Sequence, residues 1–158
     1  MSIVKGQQAP GFTLYDTDKN KVTLQDYRGK NVVLLFFPLA FTSVCTKELC
    51  YIRDNIKLYN HLQATVFGIS VDSLFTLKKF KEEQELNFTL LSDFNKDASK
   101  AYEVLYDVFP AFEMQGVSKR AAFVIDKNGI IMYEEVCNTP GDLPDFSAIN
   151  KILDVLHG

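Results

Sequence analysis

The chain has 158 residues, 47% of them hydrophobic, the length of a single domain with enough apolar material for a substantial core, which argues against a disordered chain. Its formal net charge of -3 provides no basic field for nucleic acid or an anionic membrane, and no apolar run approaches the roughly 20 residues of a membrane-spanning helix. Two short strands are expected first, Phe12 to Tyr15 and Val22 to Leu24, around a turn at Asp18-Lys19-Asn20. Asn31 to Phe37 is a wholly apolar run after its first residue, the pattern of a strand buried on both faces. Thr42 to about Asn60 reads as a helix, with Leu49, Ile52, Ile56 and Tyr59 on one stripe. Ala64 to Ser70 is a second buried strand, and Ser73 caps a helix running to about Glu85. Phe88 to Leu91 is a strand, and Asp97 caps a short helix through Val104. Ala121 to Asp126 and Ile130 to Val136 form a hairpin around Lys127-Asn128-Gly129. Asp145 to Leu156 closes the chain as an amphipathic helix. This order implies one α/β domain over 1–158, a three-layer sandwich with a central mixed sheet flanked by helices. It fits the thioredoxin fold and fits other three-layer α/β folds nearly as well.

Three cysteines, Cys45, Cys50 and Cys137, are too few for a disulfide scaffold, and their odd number leaves at least one free thiol. Met1-Ser2-Ile3-Val4-Lys5 lacks the apolar stretch of an export signal, so a reducing, cytoplasmic setting is expected. There a cysteine pair suggests redox or metal chemistry rather than a staple. His61 and His157 do not stand at zinc-finger spacing from the cysteines, and neither histidine is assigned a role. No metal-ligand or nucleotide motif is present, and no cofactor is expected.

The segment from Phe36 to Cys50 leaves a buried strand and enters a helix, where α/β sheets place their sites. Thr42, Cys45 and Glu48 follow at i, i+3 and i+6, along one side of that helix. Cys45 lies within about the first helical turn, where unpaired backbone N–H groups and the positive dipole end favour a thiolate. On these residues alone, two readings stay open for each. Cys45 is a nucleophile or a core residue, Thr42 a hydrogen-bonding partner or an N-cap, and Glu48 a partner of Arg120 or a solvated helix carboxylate.

Pro38-x-x-x-Thr42-x-x-Cys45 resembles the active-site motif of the peroxiredoxins. The likeness extends over nearly the whole chain. Gly6-x-x-Ala9-Pro10-x-Phe12-x-Leu14 is similar to that family's opening, Val66 to Ser73 to its second core strand, and Leu91-Ser92-Asp93 to its third. Arg120-Ala121-Ala122-Phe123-Val124-Ile125-Asp126 resembles the strand that carries its active-site arginine. Cys50 and Tyr51-Ile52-Arg53-Asp54 resemble the peroxiredoxin Q group. Pro38 to Thr42 and Leu143-Pro144-Asp145-Phe146 are more similar to the one-cysteine AhpE group. The chain reads as AhpE-like with an extra cysteine.

The resemblance implies a thioredoxin-like fold and a peroxidase that reduces hydroperoxides through a cysteine sulfenic acid. Cys45 would be the nucleophile, and Thr42 would bond the peroxide oxygens. Pro38 would shield the thiolate, Arg120 would stabilise the leaving oxygen, and Glu48 would orient Arg120. Cys50 would resolve the sulfenic acid to a disulfide, or serve as a core residue; Cys137 is expected to be a free thiol. The implied partners are a peroxide, a thioredoxin-like or small-thiol reductant and a second copy of the chain. Phe37 and Phe41 are expected to wall the peroxide pocket. Two other functions compete. A thiol–disulfide oxidoreductase normally uses Cys-x-x-Cys, whereas four residues separate Cys45 from Cys50. A copper chaperone on the same fold wants Cys-x-x-x-Cys and a distal histidine.

Should Cys50 resolve, the helix must open. Five helical residues separate two Cα atoms by about 7.5 Å along the axis and rotate their side chains by roughly 140°. A disulfide tolerates a Cα separation of up to about 7 Å.

Overall fold

The computed structural model describes residues 3–158; Met1 and Ser2, the start of the stretch read for an export signal, lie outside the described residues. Strands β1 (Thr13–Asp16) and β2 (Lys21–Thr23) form the first hairpin, and a 3-10 turn at Leu24–Tyr27 leads to β3 (Asn31–Phe36). Helices α1 (Ser43–Asp54) and α2 (Ile56–His61) follow, then β4 (Ala64–Ser70), α3 (Leu74–Glu83) and β5 (Thr89–Ser92). The short α4 (Asp97–Ala101), β6 (Ala121–Ile125), β7 (Ile131–Val136) and α5 (Phe146–His157) complete the order.

The strands make one seven-stranded sheet in the order β2-β1-β5-β4-β3-β6-β7. β5, β4 and β3 are parallel, and β1, β6 and β7 pair antiparallel around them. This is a mixed sheet with helices on both faces, a thioredoxin-like α/β fold. The alternation in β3 accounts for the layers. Val33 and Leu35 face a core built with Leu49, Ile52, Tyr59, Leu77, Phe80, Ile149 and Leu153 of the helices. Val32, Leu34 and Phe36 face the other core, with Phe12, Leu24, Ala98, Tyr102 and Phe123. A strand buried on both faces needs no polar alternation, and β3 has none.

Two expectations fail in detail. The helix from Thr42 to Asn60 is broken at Asn55, whose backbone (φ -116°, ψ 17°) ends α1. Its side-chain Nδ2 donates to the Tyr51 carbonyl at 2.8 Å, a local bond that competes with helix continuation. Asp97 does not cap α4. Asp93 does so instead, its carboxylate accepting from the Ala98 and Ser99 amides at 3.0 and 2.7 Å. The helix ends at Ala101 rather than Val104. Ser73 and Asp145 do cap their helices, accepting from Thr76 and Ala148.

Candidate active site

The site lies at the C-terminal end of β3. Pro38 is buried just past the strand, and the loop to α1 is pinned to the end of β4. The Ala40 amide donates to Asp72 Oδ2 at 2.8 Å, and Ser70 Oγ donates to the same oxygen at 2.7 Å. Phe41 takes a left-handed conformation (φ 68°), uncommon for a residue with a side chain. It turns the chain so that Thr42 enters α1 from extended backbone. Cys45 is then the third residue of the helix, 1% exposed, at the end where amides lack intrahelical partners.

Arg120, one residue before β6, reaches this thiol: Nη2 donates to Cys45 Sγ at 3.2 Å and to the Pro140 carbonyl at 2.9 Å. Nη1 donates to Glu48 Oε1 at 2.6 Å. Arg120 and Glu48 are 1% and 0% exposed. Burial works against the guanidinium charge, but Glu48 and Cys45 outweigh it and tighten its hold on the proton. Burial likewise pushes the Glu48 carboxyl up to about 7 despite the attraction of Arg120, with Glu135 adding to the rise. Glu48 Oε2 has no hydrogen-bond partner among the described residues, which fits a carboxyl that is costly to ionise there.

The Thr42 side chain caps nothing. Its hydroxyl donates to the Leu39 carbonyl at 2.7 Å, so the oxygen's lone pairs remain to accept a bond from a ligand. A cavity of about 180 Å³ above Cys45 is lined by Pro38, Leu39, Thr42, Val44, Phe109 and Pro140, among others. Phe37 and Phe41 do not wall it. Phe37 is fully buried in the helix-side core, because β3's alternation carries it there, and Phe41 turns outward onto Phe80. The hydrophobic wall comes instead from Leu39, Val44 and Phe109.

The structure thus brings Pro38, Thr42, Cys45, Glu48 and Arg120 together. Cys50 stands apart, on the same helix but packed against the core, with its thiol 3.7 Å from Gln84 Oε1. All three cysteines are free thiols. Burial, then Glu135 and Glu48, pushes the Cys137 thiol up to about 11. Phe109 and Pro140 sit on irregular segments with no periodic signal, and sequence reasoning missed them. It also missed Asp72, although that residue lies within the quoted Val66 to Ser73 stretch.

The AhpC/TSA family profile matches residues 5–134, a span that contains Pro38, Thr42, Cys45 and Arg120. The chain belongs to the AhpC/TSA family. Alkyl hydroperoxide reductase E of Mycobacterium tuberculosis is 40% identical over 143 residues, covering 89% of each chain. The chloroplastic peroxiredoxin Q of Oryza sativa is 38% identical over 131 residues, 83% of this chain. The chain spans only 58% of that relative's length. The reduced 2-Cys peroxiredoxin of Plasmodium vivax superposes with a TM-score of 0.85 at 32% identity, covering 96% of this chain and 81% of that one. This is a peroxiredoxin of the AhpE and peroxiredoxin Q type. Among its described residues no helix is long and apolar enough to cross a membrane.

Proposed function

We propose that this peroxiredoxin is a thiol-dependent peroxidase that reduces hydrogen peroxide and organic hydroperoxides with Cys45. The observation that supports this most is the Arg120 guanidinium, buried and 3.2 Å from the Cys45 sulfur. A buried cation held against a helix-start cysteine favours the thiolate, the form that attacks. The thiolate attacks one peroxide oxygen along the O–O axis. An S–O bond forms and the O–O bond breaks. The sulfur is oxidised to a sulfenic acid, and the other oxygen leaves as hydroxide or alkoxide and takes a proton to become water or an alcohol. Negative charge grows on the leaving oxygen as the bond breaks. Arg120 and the free amides of α1 stabilise it there, more than in the ground state. Thr42, its proton committed to Leu39, accepts the hydrogen bond of the peroxide O–H and so orients the attacked oxygen. Pro38 and the apolar cavity wall exclude water.

The cycle closes when a thiol reduces the sulfenic acid. Cys50 resolves it after α1 opens, and a thioredoxin-like or small-thiol reductant releases the disulfide. The protein acts as one domain in the cytoplasm and as a homodimer. Phe112, 89% exposed on the segment that also carries Phe109, supports the pairing. Sedimentation velocity across a concentration series tests it. The activity itself is tested with one equivalent of peroxide. Cys45→Ser should consume none while keeping its circular dichroism, and retention of most activity in that variant would refute the assignment.

A further inference from the structure

The segment between β7 and α5 crosses the site as a strap. Its first residue is tied down by the Cys137 amide, which donates to the Arg120 carbonyl at 2.8 Å and extends the β6–β7 ladder by one step. Its middle supplies the Pro140 carbonyl that accepts from Arg120 Nη2, and Pro140 lines the cavity over Cys45. At its far end, where Pro144 is buried and Asp145 caps α5, one side chain ties the strap back to β7. Glu135 Oε1 accepts from the Asp145 amide at 2.9 Å and from the Tyr133 hydroxyl at 2.7 Å. The register pairs Glu135 with Ala122, and side chains alternate along each strand. Arg120, Ala122, Glu135 and Cys137 therefore share the helix-side face. Glu135 stands diagonally from Arg120, yet its carboxylate is committed to the strap.

We propose that Glu135 is a positioning residue for the peroxidase reaction: by closing the 137–145 strap it places the Pro140 carbonyl that fixes Arg120 against Cys45. This rests on the peroxidase reading above. With Nη1 on Glu48, the Pro140 bond is what sets the rotation of the guanidinium and so the direction in which Nη2 points. A loosened strap leaves the ion pair intact and lets that direction wander, and misplacement by about 1 Å can cost up to 10²-fold in rate. Charge alone works in the opposite sense. Glu135 is an anion near Glu48 and Cys137, and removing it would ease a reaction that gathers negative charge. A slower reaction therefore reports geometry.

The experiment measures the rate constant for Cys45 oxidation by hydrogen peroxide in Glu135→Ala, Glu135→Gln and Glu135→Asp, in the otherwise wild-type chain, and repeats Glu135→Ala on top of Arg120→Met. Gln keeps an oxygen that accepts both bonds, and its rate should stay within about twofold of wild type. Asp keeps the charge but is one methylene short of the Asp145 amide. Asp and Ala should both slow oxidation by about tenfold, with faster amide exchange over 138–145. In the Arg120→Met background, Glu135→Ala should change the rate less than twofold. The proposal is overturned by an unchanged rate in Ala and Asp, by a Gln variant as slow as Ala, or by an equal loss with Arg120 absent. If Glu135→Ala does not fold, the Asp and Gln variants decide on the same terms. No oxidation of Cys45 in the wild-type protein would instead sink the peroxidase reading itself.

Discussion

Arg120→Met removes the guanidinium and keeps much of its apolar volume. At an effective dielectric of about 20, two unit charges at this donor–sulfur distance attract by ~5 kcal/mol, of which desolvation cancels a large share. A charge-assisted hydrogen bond nets about 1.5–3 kcal/mol, and deleting a donor to a developing oxyanion slows a reaction by about 10²–10³. The variant should therefore lose the stabilisation of the leaving oxygen, and its rate constant for Cys45 oxidation should fall by about 10²-fold or more. Rapid quench with mass spectrometry suits the assay, because the chain contains no tryptophan to report oxidation by fluorescence. The fold should survive below neutral pH, since Glu48, already at about 7 with its partner present, takes up a proton when the cation is gone. A variant that reacts within about fivefold of wild type would refute the reasoning.

Glu48→Gln tests the buried carboxyl. Glu48's folded pKa of about 7 lies above its ordinary 4.5, so the folded state binds the extra proton and wild-type stability is lost as pH rises from 4.5 through 7. At ~1.4 kcal/mol per tenfold in proton affinity this loss is roughly 3 kcal/mol, and urea melts at pH 5 and 8 should show it flattened in Glu48→Gln. Thr42→Val should lower the peroxide rate constant by about 10- to 100-fold while Thr42→Ser stays near wild type; equal rates in all three would remove the hydroxyl from the site. One equivalent of peroxide should convert Cys45 and Cys50 to a disulfide with faster amide exchange over 42–52. A lasting sulfenic acid under a protected helix would make Cys50 a core residue. The half of α1 that carries Cys50 is clamped: Tyr51 stacks on Phe146 at 4.1 Å, and Arg53 Nη1 donates to the Gln84 carbonyl at 2.6 Å. Tyr51→Ala should accordingly speed disulfide formation, and an unchanged or slower rate would count against opening as the limiting step.

Much of the site was legible before any fold was known, because Thr42, Cys45 and Glu48 are local to one helix start. Helical spacing aligns them, whatever lies around. The long apolar strands were legible for a similar reason: β3 and β4 are buried on both faces and carry no alternation that a different register would reveal. What failed were features decided by competition between near-equal local bonds. Asn55 can continue a helix or turn its amide back on Tyr51, and Asp93 and Asp97 are both credible caps for α4. Phe37 and Phe41 flank Pro38 in sequence, but β3's alternation and the left-handed turn at Phe41 send both rings away from the cavity.

The sequence by itself determined the chemistry on offer: a thiol at a helix start, a hydroxyl one turn before it, a carboxylate one turn after, and a strand-borne arginine recognised by resemblance. Only the tertiary structure decided what that arginine does. β6 pairs with β3 across the sheet, and this non-local pairing carries Arg120 into a buried contact with Glu48 and Cys45. The strap that fixes its second bond comes from beyond β7, where no periodicity marks it. Burial then changes the meaning of each group. The same glutamate would be an ordinary surface carboxylate on a solvated helix; enclosed beside Arg120 it titrates near neutrality, because a low-dielectric interior penalises charge in proportion to what the fold excludes.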